Sequence, residues 1–408
     1  MAEVPSIALN TFKGGVSKTT TAFNLAWKFT DDPNFTVLLV DADAQCNLTQ
    51  VFLQHYSENN VPHIDVAEIF RHSRPDEAPC LTIGESLDQV VQAKTLTPPP
   101  VATVAHFLRP NMFLLPGSMQ ITDYEQAIAH AELSKLGATR NIPGAFYHLV
   151  QQTARAVGAN CIIIDTSPSM GVLNMVIVMS CMYFILPCQA DFFSFKAVES
   201  VRLRMFENSG PTNRTWIQRS TELQDFTADS QNRLPVRKPK FLGALVQMFT
   251  IKNANRCTAA FQYFIDLIET EIGQHLRPKL LEHDMLVWTE TQYTDYANTM
   301  QPFILAKVKN FNRFAPMAQD VGIPVMALLK HTDYIVNIDQ GSGENKKLSG
   351  SMLAKAISDI TLMTCPLNNA ACAVLDMMRD VYNPVLQNEA STLEQVQDSA
   401  VEDVMEEG

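Results

Sequence analysis

The amino-acid sequence predicts an α/β fold in which a mostly parallel sheet is covered by helices on both faces. The first fifty residues read strand, loop, helix and strand, with an apolar run at residues 7–10, helical spacing over residues 18–29 and a strand-like run at residues 36–40. Further β-like runs, separated by helical patterns, lie at residues 112–115, 161–164, 183–186, 242–249 and 325–329. This alternation is typical of parallel sheets, because parallel strands are joined by crossovers that are usually helices.

The chain is expected to form one large domain. A length of 408 residues with 46% apolar residues can support a sizeable core, which we place in residues 1–388. Within it, residues 51–140 show a looser, proline-rich pattern and are predicted to be an insertion after the second strand. Residues 389–408 contain seven acidic residues and no lysine or arginine, which predicts a disordered acidic tail.

Charge and cysteine content exclude several classes of protein. A net charge of −12 argues against a protein that coats nucleic acid with its whole surface, although one local basic face is compatible with it. The eight cysteines are scattered singly, which argues against zinc fingers and disulfide frameworks. We find no convincing spanning helix and no secretory signal, so the expected location is the cytoplasm.

The strongest chemical signal lies between the first strand and the first helix. It is the segment Lys13-Gly14-Gly15-Val16-Ser17-Lys18-Thr19-Thr20. Consecutive glycines let backbone N–H groups turn inward around a β-phosphate, and the helix N-terminus adds partial positive charge. Lys18 can reach the β- and γ-phosphates and the Thr19 hydroxyl can ligate magnesium. The segment therefore predicts a cradle for ATP and Mg²⁺.

This loop departs from the ordinary GxxxxGK[ST] pattern, because Phe12 and Ser17 stand where the framing glycines would be. What is met is the deviant form KGGxxK[ST]. Its extra Lys13 has no evident use within one subunit, since Lys18 serves the local phosphates. Lys13 could instead cross a dimer interface and neutralise charge on the partner's ATP, with a solvated loop lysine as the alternative. Ser17 occupies a position that can require positive φ, which could slow hydrolysis.

With this loop the chain resembles the ParA/Soj-type partition ATPases of the ParA/MinD family. Residues 41–49, DADAQCNLT, are similar to the family's switch I, and residues 162–171, IIIDTSPSMG, to its Walker B strand and switch II. Residues 187–198 are similar to its P-x-Q segment and following helix. Weaker similarity at residues 115–118 and 311–325, the latter to a late helix and strand, extends the coverage to roughly residues 5–50 and 110–330.

The resemblance implies roles for individual residues. Asp43 would position or polarise the attacking water, Asp165 would hold magnesium through its water shell, and Asp41 would support the metal and the switch region. The adenine contact, which the family supplies from a later strand end, is placed at Gln247 and Met248. The expected catalytic residues are thus Lys13, Lys18 and Asp43, and the expected metal-binding residues are Thr19, Asp41 and Asp165.

The resemblance also implies a function. ATP would join two copies into a sandwich dimer that binds DNA non-specifically, becomes associated with the nucleoid, and hydrolyses ATP to ADP and phosphate to segregate or position a plasmid, chromosome or other cargo. A ParB-like adaptor or cargo protein would be the partner. Two alternatives stay open: a regulator or scaffold with weak ATPase activity, and a MinD-like membrane-surface ATPase, which the acidic C-terminus disfavours.

A candidate DNA-binding surface is indicated by the charge of residues 201–260. This segment contains ten lysines and arginines against four acidic residues, a net of +6 in an acidic chain. Such asymmetry is typical of non-specific contact with a phosphate backbone, and a solvated, merely solubilising segment is the alternative. The candidate contact residues are Arg233, Arg237, Lys238, Lys240, Lys252 and Arg256.

Overall fold

The structure of the chain is a computed structural model. It describes residues 3–54, 82–96, 109–207, 213–253, 256–297, 303–330, 336–338, 345–347 and 350–406. The description is limited to the backbone for residues 251–253, 256, 294–297, 336–338, 345–347, 350 and 380–406.

A seven-stranded parallel sheet forms the centre of the fold, with strand order β3-β2-β4-β1-β5-β6-β9. Two short antiparallel pairs, β7–β8 and β10–β11, stand apart from it. The strands are β1 Ser6–Leu9, β2 Val37–Ala42, β3 Met112–Leu115, β4 Cys161–Thr166, β5 Tyr183–Gln189, β6 Lys240–Phe249, β7 Ile251–Asn253, β8 Arg256–Cys257, β9 Ile304–Lys309, β10 Val336–Ile338 and β11 Asn345–Lys347.

The helices connect and cover these strands. They are α1 Lys18–Phe29, α2 Asn47–Gln54, α3 Ile83–Val91, α4 Ile121–Ser134, α5 Ala145–Ala156, α6 Val172–Ser180, α7 Phe192–Phe206, α8 Trp216–Thr227, α9 Ala259–Thr270, α10 Arg277–Glu282, α11 Glu290–Ala297, α12 Phe314–Asp320 and α13 Gly350–Glu406. Short 3₁₀ segments lie at Gly137–Thr139 and Val325–Leu329, and a π-helical segment at Glu271–Leu276 joins α9 to α10.

The helices pack in three groups. Helices α1, α2, α12 and α13 pack with one another and with the 3₁₀ segment at residues 325–329. Helices α3 to α6 and α8 form a second group, and α7, α9 and α10 pack with the π-helical segment. Strands β1, β2 and β4 are buried along their whole length, as expected of strands covered on both faces. The predicted α/β fold with a parallel, doubly covered sheet is therefore confirmed.

One predicted strand is wrong, and one strand of the main sheet was missed, as were the short strands β7, β8, β10 and β11. Residues 325–329, expected as a strand, form a 3₁₀ helix that follows Pro324, and the Met326 N–H donates to the Asn24 side chain of α1 at 3.0 Å. Short apolar runs do not distinguish strands from buried helical turns. The last strand of the sheet is instead β9, whose Lys307 is exposed because β9 lies at the sheet edge.

The predicted insertion and tail fall partly outside what the structure describes. Residues 55–81 and 97–108 lie outside the described residues, so the limits of the insertion and of the domain stay predictions. Strand β3, within residues 51–140, pairs with β2 as part of the main sheet. At the C-terminus the backbone of α13 is described to Glu406, and the acidic composition of residues 389–408 supports the predicted disordered tail.

Candidate functional site

The candidate site lies at the carboxyl edge of the sheet, where the central strand β1 ends and α1 begins. Strand β1 is flanked by β4 and β5, so the chain reverses its direction of winding at this point. In open parallel sheets such a switch point forms the crevice in which ligands bind. The register pairs Leu9 with Asp165 and Asp41 with Asp165, which brings the carboxyl ends of β1, β2 and β4 side by side.

The glycine-rich loop has the backbone that a phosphate cradle requires. Gly15 has a φ of 74° and Ser17 a φ of 62°, so both adopt the left-handed conformation. Gly14 and Gly15 are exposed, and a Cβ built on Gly15 meets nothing within 4 Å. The loop leads directly into the 12-residue helix α1, whose N-terminus faces the same space and favours an anion.

Lys18 and Thr19 begin α1 and face the acidic strand ends. Burial lowers the pKa of Lys18, and the charges of Asp165 and Asp43 oppose this effect. The Thr19 hydroxyl donates to Asp165 Oδ2 at 2.6 Å. Burial, together with the neighbouring charge of Asp41, raises the pKa of Asp165 to about 7. The site therefore contains a lysine, a hydroxyl and carboxylates whose negative charge Lys18 balances only in part.

The residues present fit a magnesium ion with bound phosphates. Within the described residues, Asp165 Oδ1 is buried and has no hydrogen-bond partner, which leaves one carboxylate oxygen for a cation or its water shell. The described part of the chain contains no cluster of three or more acidic, histidine or cysteine side chains that would cage a metal alone. Mg²⁺ characteristically uses one or two protein ligands and completes its octahedron with water and phosphate oxygens.

Asp41 and Asp43 organise the segment between β2 and α2. The Asp41 carboxylate is fully buried and accepts hydrogen bonds from the Thr49 N–H at 2.8 Å, the Thr49 hydroxyl at 2.7 Å and the Asp43 N–H at 3.2 Å. Burial raises the pKa of Asp41 to about 6. Asp43 is nearly buried, and its Oδ1 accepts the Gln45 N–H at 3.0 Å. Asp41 thus anchors the segment that carries Asp43 beside Lys18.

Lys13 is engaged at the junction of β5 and α7 rather than beside Lys18's carboxylates. Its Nζ donates to Gln189 Oε1 at 2.8 Å and forms an ion pair with Asp191. Asp191 is also the N-cap of α7 and accepts the Ser194 N–H at 2.8 Å. The sequence motifs do not reveal Asp191 as a partner of Lys13, although the Asp-x-x-Ser spacing indicates a helix cap.

The two residues expected to contact adenine differ in their surroundings. Gln247 is 1% exposed, and its Nε2 donates to the Thr21 hydroxyl at 2.9 Å and to the Val16 carbonyl at 3.5 Å. The Gln247 amide therefore contacts the phosphate loop and α1, and its contact with adenine stays a prediction. Met248 is partly exposed and has a left-handed φ of 61°, at an irregularity in the pairing of β6 with β9.

Most of the candidate DNA contacts that the structure describes are tied to other parts of the chain. Arg237 pairs with Glu3 and donates to the Ser180 carbonyl, and Lys240 pairs with Asp284 at 2.8 Å. Lys238 donates to the His283 carbonyl at 3.4 Å, and Arg233 is exposed. The side chains of Lys252 and Arg256 lie outside the described residues. The net charge counted along residues 201–260 therefore overstates the positive charge that this segment presents at the surface.

Together, the parallel sheet, the glycine-rich loop and the lysine and threonine at the start of α1 define a P-loop nucleotide-binding protein. A family model described as an AAA domain matches residues 4–209, half of the 408-residue chain. The chain therefore belongs to this family, and its deviant loop and switch motifs make it a P-loop protein of the ParA/MinD type, which confirms the resemblance seen in the sequence.

Individual proteins are similar to this chain over different lengths. A Rhizobium rhizogenes protein named replication protein A is 27% identical over 213 residues, which are 50% of this chain and 46% of that protein. The matched part thus spans less than half of that relative's length. Among solved structures, DIP2308 from Corynebacterium diphtheriae gives a TM-score of 0.50 at 19% identity, covering 81% of this chain and all of DIP2308.

Two further structures match with lower scores. Apo McdA from Cyanothece gives a TM-score of 0.47 at 15% identity and covers 88% of this chain and 99% of McdA. A structure of pNOB8 ParA bound to nonspecific DNA gives 0.46 at 16% identity and covers 92% and 99%. At such identities the similarity to solved structures concerns the fold alone. No helix in the described part of the chain is long and apolar enough to cross a membrane.

Proposed function

We propose that the chain is an ATP-dependent dimerisation switch that hydrolyses ATP to position or segregate a cargo. The observation that carries this proposal is that two lysines of the same loop have different partners. Lys18 sits among the carboxylates of the local phosphate site, whereas Lys13 is held by Gln189 and Asp191 at another strand end. A second cation on the same loop suits the phosphates of a second copy.

Each residue of the site has a defined task in this proposal. The loop N–H groups and Lys18 bind the β- and γ-phosphates, and Thr19 with Asp165 would hold Mg²⁺, which supplies charge neutralisation at the phosphates. Asp43, held by Asp41's segment, orients the attacking water. Hydrolysis at a P-loop depends mainly on positioning and charge neutralisation, so no covalent intermediate with the protein is needed.

Dimerisation requires Lys13 to change partners. In the single chain, its ammonium is neutralised by Asp191, with Gln189 as a second acceptor. Reaching the partner's ATP would break this ion pair and form a charge-assisted contact with phosphate oxygens instead. The ion pair is partly exposed, so its loss costs little compared with the new contact.

The proposal also includes non-specific DNA binding by the dimer and release by a ParB-like adaptor, which would make the protein nucleoid-associated when ATP is bound. Support comes from Arg233 and Lys238, whose residues are both exposed. Two weak basic patches on a two-fold dimer bind together more tightly than one alone.

A regulator or scaffold with weak ATPase activity is the second candidate function. The observation in its favour is Ser17, whose left-handed φ of 62° places a side chain where glycine is preferred. Strain in the loop that surrounds the phosphates can slow turnover without preventing binding.

The deciding experiment measures Mg-ATP turnover and solution mass, with and without non-specific duplex DNA, for wild type, Lys13→Ala and Asp43→Ala. We expect Asp43→Ala to accumulate an ATP-bound dimer that retains DNA in a salt-sensitive manner, and Lys13→Ala to bind ADP yet remain monomeric. Lys196→Ala is a matched control, because Lys196 is an exposed lysine paired with Glu199 on α7. A wild type that binds ATP without dimerising or hydrolysing it would favour the scaffold.

A further inference from the structure

An aromatic side chain anchors the phosphate loop from outside the sheet. Phe12, which directly precedes Lys13, is half-buried, and its ring meets that of Trp216 edge-to-face with centroids 5.5 Å apart and an interplanar angle of 84°. Trp216 is only 1% exposed and is the first residue of α8. The loop position that the ordinary P-loop pattern reserves for glycine therefore carries a ring with a dedicated aromatic partner.

Trp216 is itself held firmly in place. Thr215 and Gln218 form a reciprocal capping box at the start of α8, with bonds of 2.9 and 3.1 Å. One turn further along α8, the Arg219 guanidinium donates two hydrogen bonds to the buried Glu132 carboxylate of α4, at 2.6 and 2.7 Å. A partner with so little freedom is suited to fix the side chain that rests on it.

We propose that Trp216 is a positioning residue of the nucleotide site, which acts through Phe12 to set the position of Lys13. The Lys13 main chain is anchored on one side by the Phe12–Trp216 contact, and its side chain is engaged on the other by Gln189 and Asp191. The inference rests on the proposed function in one respect, namely that Lys13 acts on the ATP of a second copy. It adds that helix α8 sets the position of this lysine.

Turnover provides the first test, with Phe12→Leu, Trp216→Leu, the double variant and the conservative Trp216→Phe. We expect either leucine variant to lower kcat about tenfold, which corresponds to about 1.4 kcal/mol. Mg-ADP affinity should stay within about twofold of wild type, since Lys18 serves the local phosphates. The double variant should be no slower than the single ones, and Trp216→Phe should recover most of the rate because an aromatic edge contact is restored.

Trp288→Leu is the matched control for a purely structural role. Trp288 is 6% exposed and forms a similar edge-to-face pair with Tyr293, with centroids 5.6 Å apart, and neither residue belongs to the nucleotide site. It should lower the midpoint of thermal unfolding as Trp216→Leu does, but leave kcat unchanged. Equal loss of kcat in both variants, or additive losses in the Phe12 and Trp216 double variant, would overturn the proposal.

Fluorescence separates this inference from the proposed function. In a full chain carrying Trp27→Phe and Trp288→Phe, Trp216 is the remaining tryptophan, because the sequence has three. Mg-ADP should change its emission saturably, and Phe12→Leu should abolish the change while calorimetry still detects ADP binding. If the wild type turns over no ATP, the proposed function fails, and this signal still decides whether Trp216 senses the loop. Bound ADP without any change in Trp216 emission overturns the inference.

Discussion

The phosphate loop and the basic segment of residues 201–260 differ in how far the sequence alone determines their chemistry. In the loop, neighbouring residues along the chain supply the backbone geometry, the lysine and the hydroxyl of one site. In the basic segment, Glu207 and Glu222 pair with arginines of the same segment, but other neutralising acids, namely Glu3, Glu132 and Asp284, come from distant parts of the chain. A continuous motif thus predicts the chemistry of its site, whereas the charge counted along a segment does not predict the charge at the folded surface.

The largest effect that tests this comparison is expected at Arg219, which the charge count treats as one more surface cation. Its side chain is 14% exposed and forms an ion pair with Glu132, whose side chain is 5% exposed. Arg219→Ala removes both close hydrogen bonds of the buried Glu132 carboxylate and leaves it only the Arg214 guanidinium at 4.0 Å, so it should lower the free energy of unfolding by about 3 kcal/mol. Urea unfolding measures it, with Lys196→Ala as the exposed control expected to change by less than about 0.5 kcal/mol. Similar values for both would mean that Arg219 is a surface cation after all.

The next effect concerns the loop itself. Lys18→Met removes the buried cation and should weaken Mg-ADP binding about 100-fold, or about 2.7 kcal/mol, because a charge-assisted phosphate contact is lost. Lys28→Met provides the control from the last turn of the same helix, where Lys28 pairs with Asp31 at 2.9 Å. Calorimetry should give wild-type affinity for Lys28→Met. If the Lys18→Met variant binds ADP with wild-type affinity, the phosphates bind at a different place in the protein.

Several features that the sequence did not reveal depend on contacts between distant residues. Lys13 was identified as unusual from its motif, but its partner Asp191 lies 178 positions away. The ring contact between Phe12 and Trp216 is equally remote in sequence. Strand β9 was missed because its apolar run is interrupted by the exposed Lys307 and ends at the half-buried Lys309. Residues 325–329 form a 3₁₀ helix that begins after Pro324 and is bonded to Asn24. The motifs, in contrast, are continuous segments at strand ends.

The buried acids of the site make stability depend on pH. The pKa of Asp165 in the folded chain is about 7, above the ordinary 3.8, so the folded chain binds this proton more tightly than the unfolded one. The free energy of unfolding should therefore fall by about 2 kcal/mol on this account as pH rises from 5 to 8. Asp165→Asn removes the effect, whereas the contribution of Asp41 remains. Urea titrations at both pH values compare the two proteins, and identical pH slopes would contradict the assignment.

A smaller effect is expected where the loop departs from the ordinary pattern. Ser17→Gly relieves a left-handed conformation that costs about 1–2 kcal/mol for a residue with a Cβ, offset by the greater entropy of glycine in the unfolded chain. The net gain should be about 0.5–1 kcal/mol in the free energy of unfolding. Gly15→Ala is the opposite substitution, at a φ of 74°, and should destabilise. Faster turnover in Ser17→Gly would indicate that the natural serine slows hydrolysis.

The smallest effect on stability, and the one that sharpens the comparison most, is expected at Arg233. Its exposed side chain distinguishes it from Arg237, which is bonded to Ser180 and Glu3. Arg233→Ala should change the free energy of unfolding by less than about 0.5 kcal/mol, yet reduce the slope of log affinity for duplex DNA against log salt by about 1 if the residue contacts a phosphate. Lys240→Ala, in which an already paired cation is removed, should leave that slope nearly unchanged. If both variants reduce the slope equally, the ion pairs open on DNA, and the charge counted along the sequence becomes available at the surface after all.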